Sequence, residues 1–360
     1  MSAITPSDSL GEVSPPDRTP SAPIARRFSL FRRPLFRWNE VPGFRESILW
    51  FYGFALIHQV SALIVGLIIA GIFFLIHGLQ VDLVQALERH LFEPWLAPWL
   101  GGEQLLSLVV VVWLYRRRFR FEKSLSREFA LPNPFHFAVT FLLLLPMGII
   151  STWTYLQAER SWQFAVRQFP PLERFDQFLA LNAPSLLAPH TPFAIMLIIF
   201  AVLPAIGEEL VFRGVIGRGL TRRLGLLPGI LITSFLFGVL HSHPLHAAAV
   251  IPLGITLHIL YLTTGSLAAP MLLHFLNNAT AVATLAGDRS FQQVLEHQRG
   301  LLQSPSIVIA AVALVAGLLW SLYQTRTRAD SARLTPACLA TSLIGLISFA
   351  TLYCRQFWEN

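Results

Sequence analysis

The chain has 360 residues, of which 54% are hydrophobic and only 13% charged. A soluble domain carries about 25% charged residues, so an ordinary soluble fold is excluded. The net charge of +7 does not point to nucleic acid, because the basic residues sit in the N-terminal tail and in short loops between apolar runs, where arginine sets membrane orientation. Several apolar runs reach about 18 residues or more, the length that crosses a bilayer. The expected fold class is all-α, a polytopic integral membrane helical bundle with about eight or nine transmembrane helices. Cys338 and Cys354 lie too far apart on one predicted helix to bridge, so neither a disulfide framework nor a CxxC site is implied.

Residues 1 to 44 are polar and Pro-rich, then basic and aromatic, with Arg26, Arg27, Arg32, Arg33 and Arg37 among Phe28, Phe31, Phe36 and Trp38. This composition builds no core and reads as a disordered, topology-setting cytoplasmic tail. Its basic-aromatic part also suits an anionic leaflet. The first span is predicted at Ile48–Ile76. Val81–Trp99 is amphipathic and broken by Pro94 and Pro98, which predicts an interfacial piece. The second span, Gln104–Tyr115, ends in a run of arginines from Arg116 to Arg120. The third is Phe135–Leu156, followed by a charge-balanced loop. The fourth, Phe193–Phe212, leads into Arg213, Arg218, Arg222 and Arg223. Pro228–His241, Ala247–Leu262 and Leu267–Leu285 are spans five to seven, Ile307–Tyr323 the eighth and Pro336–Tyr353 the ninth. Arginine-rich loops alternate with balanced ones, which places the N-terminus in the cytoplasm and the C-terminus outside. A plasma (inner) membrane is the expected location.

Three polar groups interrupt the second half of this apolar chain. The first is Glu208, Glu209 and Arg213. A charge at the centre of a membrane helix costs about 2.5–3.5 kcal/mol, so such groups usually face a protein interior or a wet cavity. Glu209 and Arg213 are four apart and stack on one helix face, where they pair. Glu208 is rotated about 100° away, with no local cation. One glutamate is thus structural and the other free to work; a helix end at the interface with an ordinary ion pair is the plainer alternative. The second group is His241, late on span five. The third is His274 and Asn278, one turn apart on span seven. His58 and His258 stand alone and read as helix–helix hydrogen-bonding groups. A carboxylate that takes a proton from water, an imidazole that orients it, and a second imidazole and an amide that donate to an oxyanion are together what amide hydrolysis needs in a dry site.

In sequence these motifs read EELVFRG at 208–214, FGVLH at 237–241 and HFLNN at 274–278, preceded by GSLAAPMLL at 265–273. Their order resembles the CPBP (Abi) family of intramembrane proteases, which includes the type II CAAX prenyl endopeptidases. The resemblance covers residues 190–285. It implies that Glu208 is the general base, Glu209 pairs with Arg213 as structural support, His241 helps position the water, and His274 and Asn278 stabilise the oxyanion. Four parts follow: a tail (1–44), N-terminal membrane helices and loops (45–189), a protease-like catalytic core (190–285) and C-terminal membrane helices (286–360).

The cofactor is open at this stage. Glu208, His241 and His274 can be drawn as a His₂Glu zinc site with a water position, the metalloprotease reading. The family has also been described as glutamic-type, which needs no metal. Asn278 is a poor zinc ligand and a good oxyanion donor, which favours the latter. With Arg213 taken as the cytoplasmic edge, Glu208 lies about 8 Å deep and His274 near 10 Å, while His241 falls deeper. His243, Pro244 and His246 then read as an outer-side turn. The expected activity is cleavage of a membrane-associated peptide or protein, of CAAX-type prenylated character in the best-known relatives, near the cytoplasmic face. Membrane lipid is the other partner, and no nucleic acid is. Two other classes use the same residues: a transporter or proton relay, against which stands the scarcity of ionisable groups in the first three spans, and a non-catalytic immunity-type membrane protein.

Overall fold

The computed structural model describes residues 41–78, 93–119, 128–174, 191–241, 243–286 and 304–325, with 347, 350 and 351. All belong to the compact unit Phe36–Asn360. The basic-aromatic tail, most of the predicted interfacial piece, nearly all of the ninth span and both cysteines lie outside the described residues.

Among the described residues the only regular elements are helices, as expected of a chain that must satisfy its backbone groups within each segment in lipid. They are α1 (Phe44–His77), α2 (Glu93–Phe119), α3 (Pro134–Gln168), α4 (Phe193–Leu224), α5 (Leu226–Val239), α6 (Pro244–Thr264), α7 (Ala268–Ala286) and α8 (Pro305–Thr325). These correspond in order to the first eight predicted spans. Six are long and apolar enough to cross a membrane; α5 has 14 residues, and α7 has 19 with His274, Asn277 and Asn278 among them. The predicted boundary of α2 is corrected. The helix is described from Glu93 onward and includes Pro94 and Pro98, which the predicted interfacial piece had placed outside the span.

Proline chemistry also shapes α3. Asn133 caps it by accepting a hydrogen bond from the His136 N–H (2.8 Å), with Pro134 at the first helical position. A turn at Leu143 interrupts the helix three residues before Pro146, which cannot donate to the Leu142 carbonyl one turn back.

α4 is the central helix. Its apolar window is 56% buried against 11% for α1, so α4 is surrounded by protein while α1 offers most of its surface outward. Two apolar clusters flank it. One joins α3, α6, α7 and α8 through residues such as Leu143, Met147, Leu257, Leu273 and Leu318. The other joins α1, α2, α4 and α5 through Phe54, Val111, Tyr115, Phe212 and Phe237. Helix association in lipid gains nothing from expelling water between apolar faces, so close packing and polar contacts must hold the bundle. Two of those contacts revise the reading of the loop arginines. Arg118 grips the Glu46 carboxylate through both Nε and Nη2, and both residues are buried. Glu128 accepts from Tyr115 (2.8 Å) and from Arg218 (2.8 Å), which ties α2 to α4. Arg118 and Arg218 therefore bind helices together rather than mark a loop.

The α4–α5 hairpin is the tightest join. Gly225 turns the chain at φ +95°, a conformation natural only to glycine. One turn on, a Cβ at Gly229 would stand 2.4 Å from the Thr221 Cα, which is backbone and cannot move aside. Gly229→Ala is expected to destabilise the protein by about 1–3 kcal/mol, read as a lower unfolding midpoint in detergent.

Candidate active site

The site grows from the middle of α4. Pro204 lacks an N–H, so the Phe200 carbonyl loses its helical partner. The helix responds with a π turn over Ile198–Val202, and the Asn278 side-chain amide on α7 donates to the freed Phe200 carbonyl at 3.2 Å. A second π turn covers Phe212–Gly217. The two irregular turns bracket the segment that carries Glu208 and Glu209.

Glu209 and Arg213 are both fully buried and pair at 2.8 Å, as their spacing predicts. Arg213 also donates to the Gly254 carbonyl of α6 (3.0 Å), and its guanidinium lies over the Phe237 ring of α5 at 4.7 Å. His274 of α7 places Nδ1 2.8 Å from the same Glu209 oxygen that Arg213 holds. Four helices thus meet on one buried ion pair, α7 at its carboxylate and α5 and α6 at its guanidinium. A hydrogen on His274 Nδ1 leaves Nε2 as the working edge of the ring. That edge faces Glu208, with Nε2 3.9 Å from Oε2. Glu208 keeps 20% of its side chain exposed while Glu209 keeps none. Two groups at this separation can hold a single water between them.

His241 sits in the turn after α5, half-buried, with Nδ1 donating to the Phe237 carbonyl at 3.1 Å. The Phe237 ring meets both His241 (5.2 Å) and His274 (5.6 Å) edge-on, so one aromatic side chain separates the two imidazoles. His243 caps α6 by accepting from the Leu245 N–H and faces His246 at 5.5 Å, which places both at the α5–α6 turn as predicted from their positions.

The depth reading is corrected. Arg213 is no surface marker, because it is sealed within the bundle. The first exposed arginines of α4 are Arg222 and Arg223, so Glu208 lies about 21 Å from the basic end along the helix axis. The 14-residue α5 spans about the same distance, which brings the turn at His241 to a comparable level. The mismatch between Glu208 and His241 came from the wrong origin.

Two other readings change. Asn278 has a structural duty on the Phe200 carbonyl, which leaves its second amide hydrogen for other work. His258 makes no hydrogen bond among the described residues; it is fully buried against Gly217, where a Cβ would stand 2.1 Å from its ring. His58 is a helix–helix hydrogen-bonding group, as read from sequence, although its partner was not named there. His58 of α1 holds Glu103 of α2 at 2.6 Å, and Ser107 donates to the same carboxylate oxygen at 3.0 Å. The scarcity of ionisable groups expected in the first three spans therefore does not hold. Glu103 stood just outside the predicted second span, and 45 residues separate it from its partner, so no periodicity linked them.

Among the described residues no three His, Cys, Asp or Glu side chains form a group able to hold a metal ion. His274 and His241 each use Nδ1 on a protein oxygen, which leaves their Nε2 edges available.

An all-helical integral membrane protein with a half-open carboxylate, a carboxylate-oriented imidazole and a buried supporting ion pair defines a class with the makings of hydrolytic chemistry. Residues 190–280 match the family model described as Rce1-like, Type II CAAX prenyl endopeptidase Rce1-like. This is the family read from the motifs, over nearly the same stretch, and the match supports an intramembrane endopeptidase. No curated protein and no solved structure matches the chain.

Removing the guanidinium should leave the buried Glu209 carboxylate with His274 as its remaining partner and without its cation. Arg213→Ala is expected to cost about 3–5 kcal/mol, measured by chemical unfolding in detergent, and Arg213→Lys to recover only part because one amine cannot reach both Glu209 and Gly254.

Proposed function

We propose that the protein is an endopeptidase that cleaves a peptide bond of a membrane-held peptide or protein, with Glu208 as the general base. The observation that carries this reading is the pairing of Glu208 with His274 at 3.9 Å, one half-open and the other fixed by Glu209. Glu208 takes a proton from a water held against it, and the hydroxide attacks the scissile carbonyl carbon. His274, doubly protonated with Nδ1 on Glu209, donates from Nε2 to the oxyanion, and the second amide hydrogen of Asn278 supplies a further donor. His241 presents its own Nε2 edge and helps position the water. That no three donors among the described residues form a metal group supports the glutamic-type reading.

The family description supports a prenylated C-terminal segment as substrate. The core at 190–285 supplies the chemistry and the helices before it supply the other walls.

The test uses the full chain reconstituted in vesicles with matched fluorogenic peptides, prenylated and unprenylated. Glu208→Gln is expected to lower kcat about 10²–10⁴-fold while the unfolding midpoint stays near that of the wild type. Cleavage by the variant at the wild-type rate would remove Glu208 from the chemistry. Activity is expected to survive prolonged treatment with a strong zinc chelator. Its loss, restored by added zinc, would replace the glutamic-type reading with a metal one.

A further inference from the structure

Glu208 faces more than His274. It also lines a narrow cleft, with room for about one water, whose other walls include Phe54 and His58 of α1, Ser107 and Leu108 of α2, and Pro204 of α4. The His58–Glu103 pair stands at this cleft, outside the residues that match the family and outside all three motifs.

The pair is built with a direction. Glu103 is almost closed off, with 8% of its side chain exposed, and accepts from both His58 Nδ1 and Ser107. His58 keeps 27% exposed. The Phe54 ring meets it edge-on at 4.6 Å and limits its rotation. With Nδ1 committed to the carboxylate, Nε2 is the edge left to the cleft. A carboxylate that holds one ring nitrogen so that the other can work is the arrangement of an oriented acid–base imidazole. Glu209 and His274 repeat it on α4 and α7.

The hydrolysis described above also needs a route for a proton to the leaving nitrogen, which protonated Glu208 or a second acid beside it can supply. An amine does not leave a tetrahedral carbon as an amide anion, so a proton must reach the leaving nitrogen as the C–N bond breaks. We propose that His58, oriented by Glu103, is a further catalytic residue: the general acid that protonates the amine leaving group from across the cleft that Glu208 lines. The inference rests on the peptidase reading. Protons and electrons balance within the site. Water gives a proton to Glu208 and hydroxide to the carbonyl carbon. The C–N electron pair goes to nitrogen, which takes the Nε2 proton of the His58 imidazolium. Protonated Glu208 then returns its proton to His58 through water in the cleft. The net change is one water consumed and one acid and one amine released. Glu103 is a positioning residue that acts through His58.

An ester in place of the scissile amide tests this directly, because an alkoxide leaves with much less need of a proton. The full chain is assayed on a peptide and its matched ester. His58→Gln is expected to lower kcat on the amide about 10²-fold or more, with KM little changed, and to cost the ester less than about a tenth of that factor. Glu103→Gln should shift the amide-to-ester ratio the same way by a smaller factor. The double variant should match His58→Gln alone, as expected of two residues acting as one unit. The ratio does not depend on how much protein is folded, so misfolding cannot imitate the result. Equal losses on both substrates, or no loss on either, would overturn the proposal while leaving Glu208 as base. A wild-type chain that cleaves neither substrate would overturn the peptidase reading and this inference with it.

Discussion

One fully buried carboxylate organises this bundle. Glu209 lies where an isolated charge is expensive, and it persists because Arg213 and His274 both reach it. Arg213 in turn is committed to the Gly254 carbonyl and the Phe237 face. The requirement that no charge be left alone therefore sets the convergence of α4, α5, α6 and α7. The geometry around Glu208 is a by-product of that requirement: His274 cannot point elsewhere without abandoning Glu209.

Backbone irregularity is concentrated at the same place for a physical reason. A proline within a buried helix leaves a carbonyl without a partner, and lipid offers none. Pro204 does this to Phe200, and the remedy is a side chain from α7. The site is thus held twice, by an ion pair at Glu209 and by a carbonyl cap at Phe200. The Asn278 amide that repairs the helix keeps a second hydrogen beyond this bond.

The N-terminal helices are not passive. Glu46 with Arg118, and Glu128 with Tyr115 and Arg218, fasten α1 and α2 to each other and to α4. Such buried pairs fix register more surely than they add stability, since each charge gives up hydration to make its contact. The result brings His58, held by Glu103, to a cleft that it shares with Glu208, although it lies far from it in sequence.

The amino-acid sequence by itself determined the helical membrane class, the order of the first eight helices and the split between Glu208 and Glu209. Each depends on local quantities: apolar run length, the arginine pattern and the 3.6-residue repeat that sets Arg213 over Glu209. It did not determine how deep Arg213 sits, what Asn278 donates to, or that His58 has a partner. Those depend on which helices touch, and a contact across many tens of residues leaves no period in the chain. A sealed arginine and a surface arginine are the same letter in sequence. Only the packing of α5, α6 and α7 around α4 distinguishes them, because only it decides which charges have lost their water.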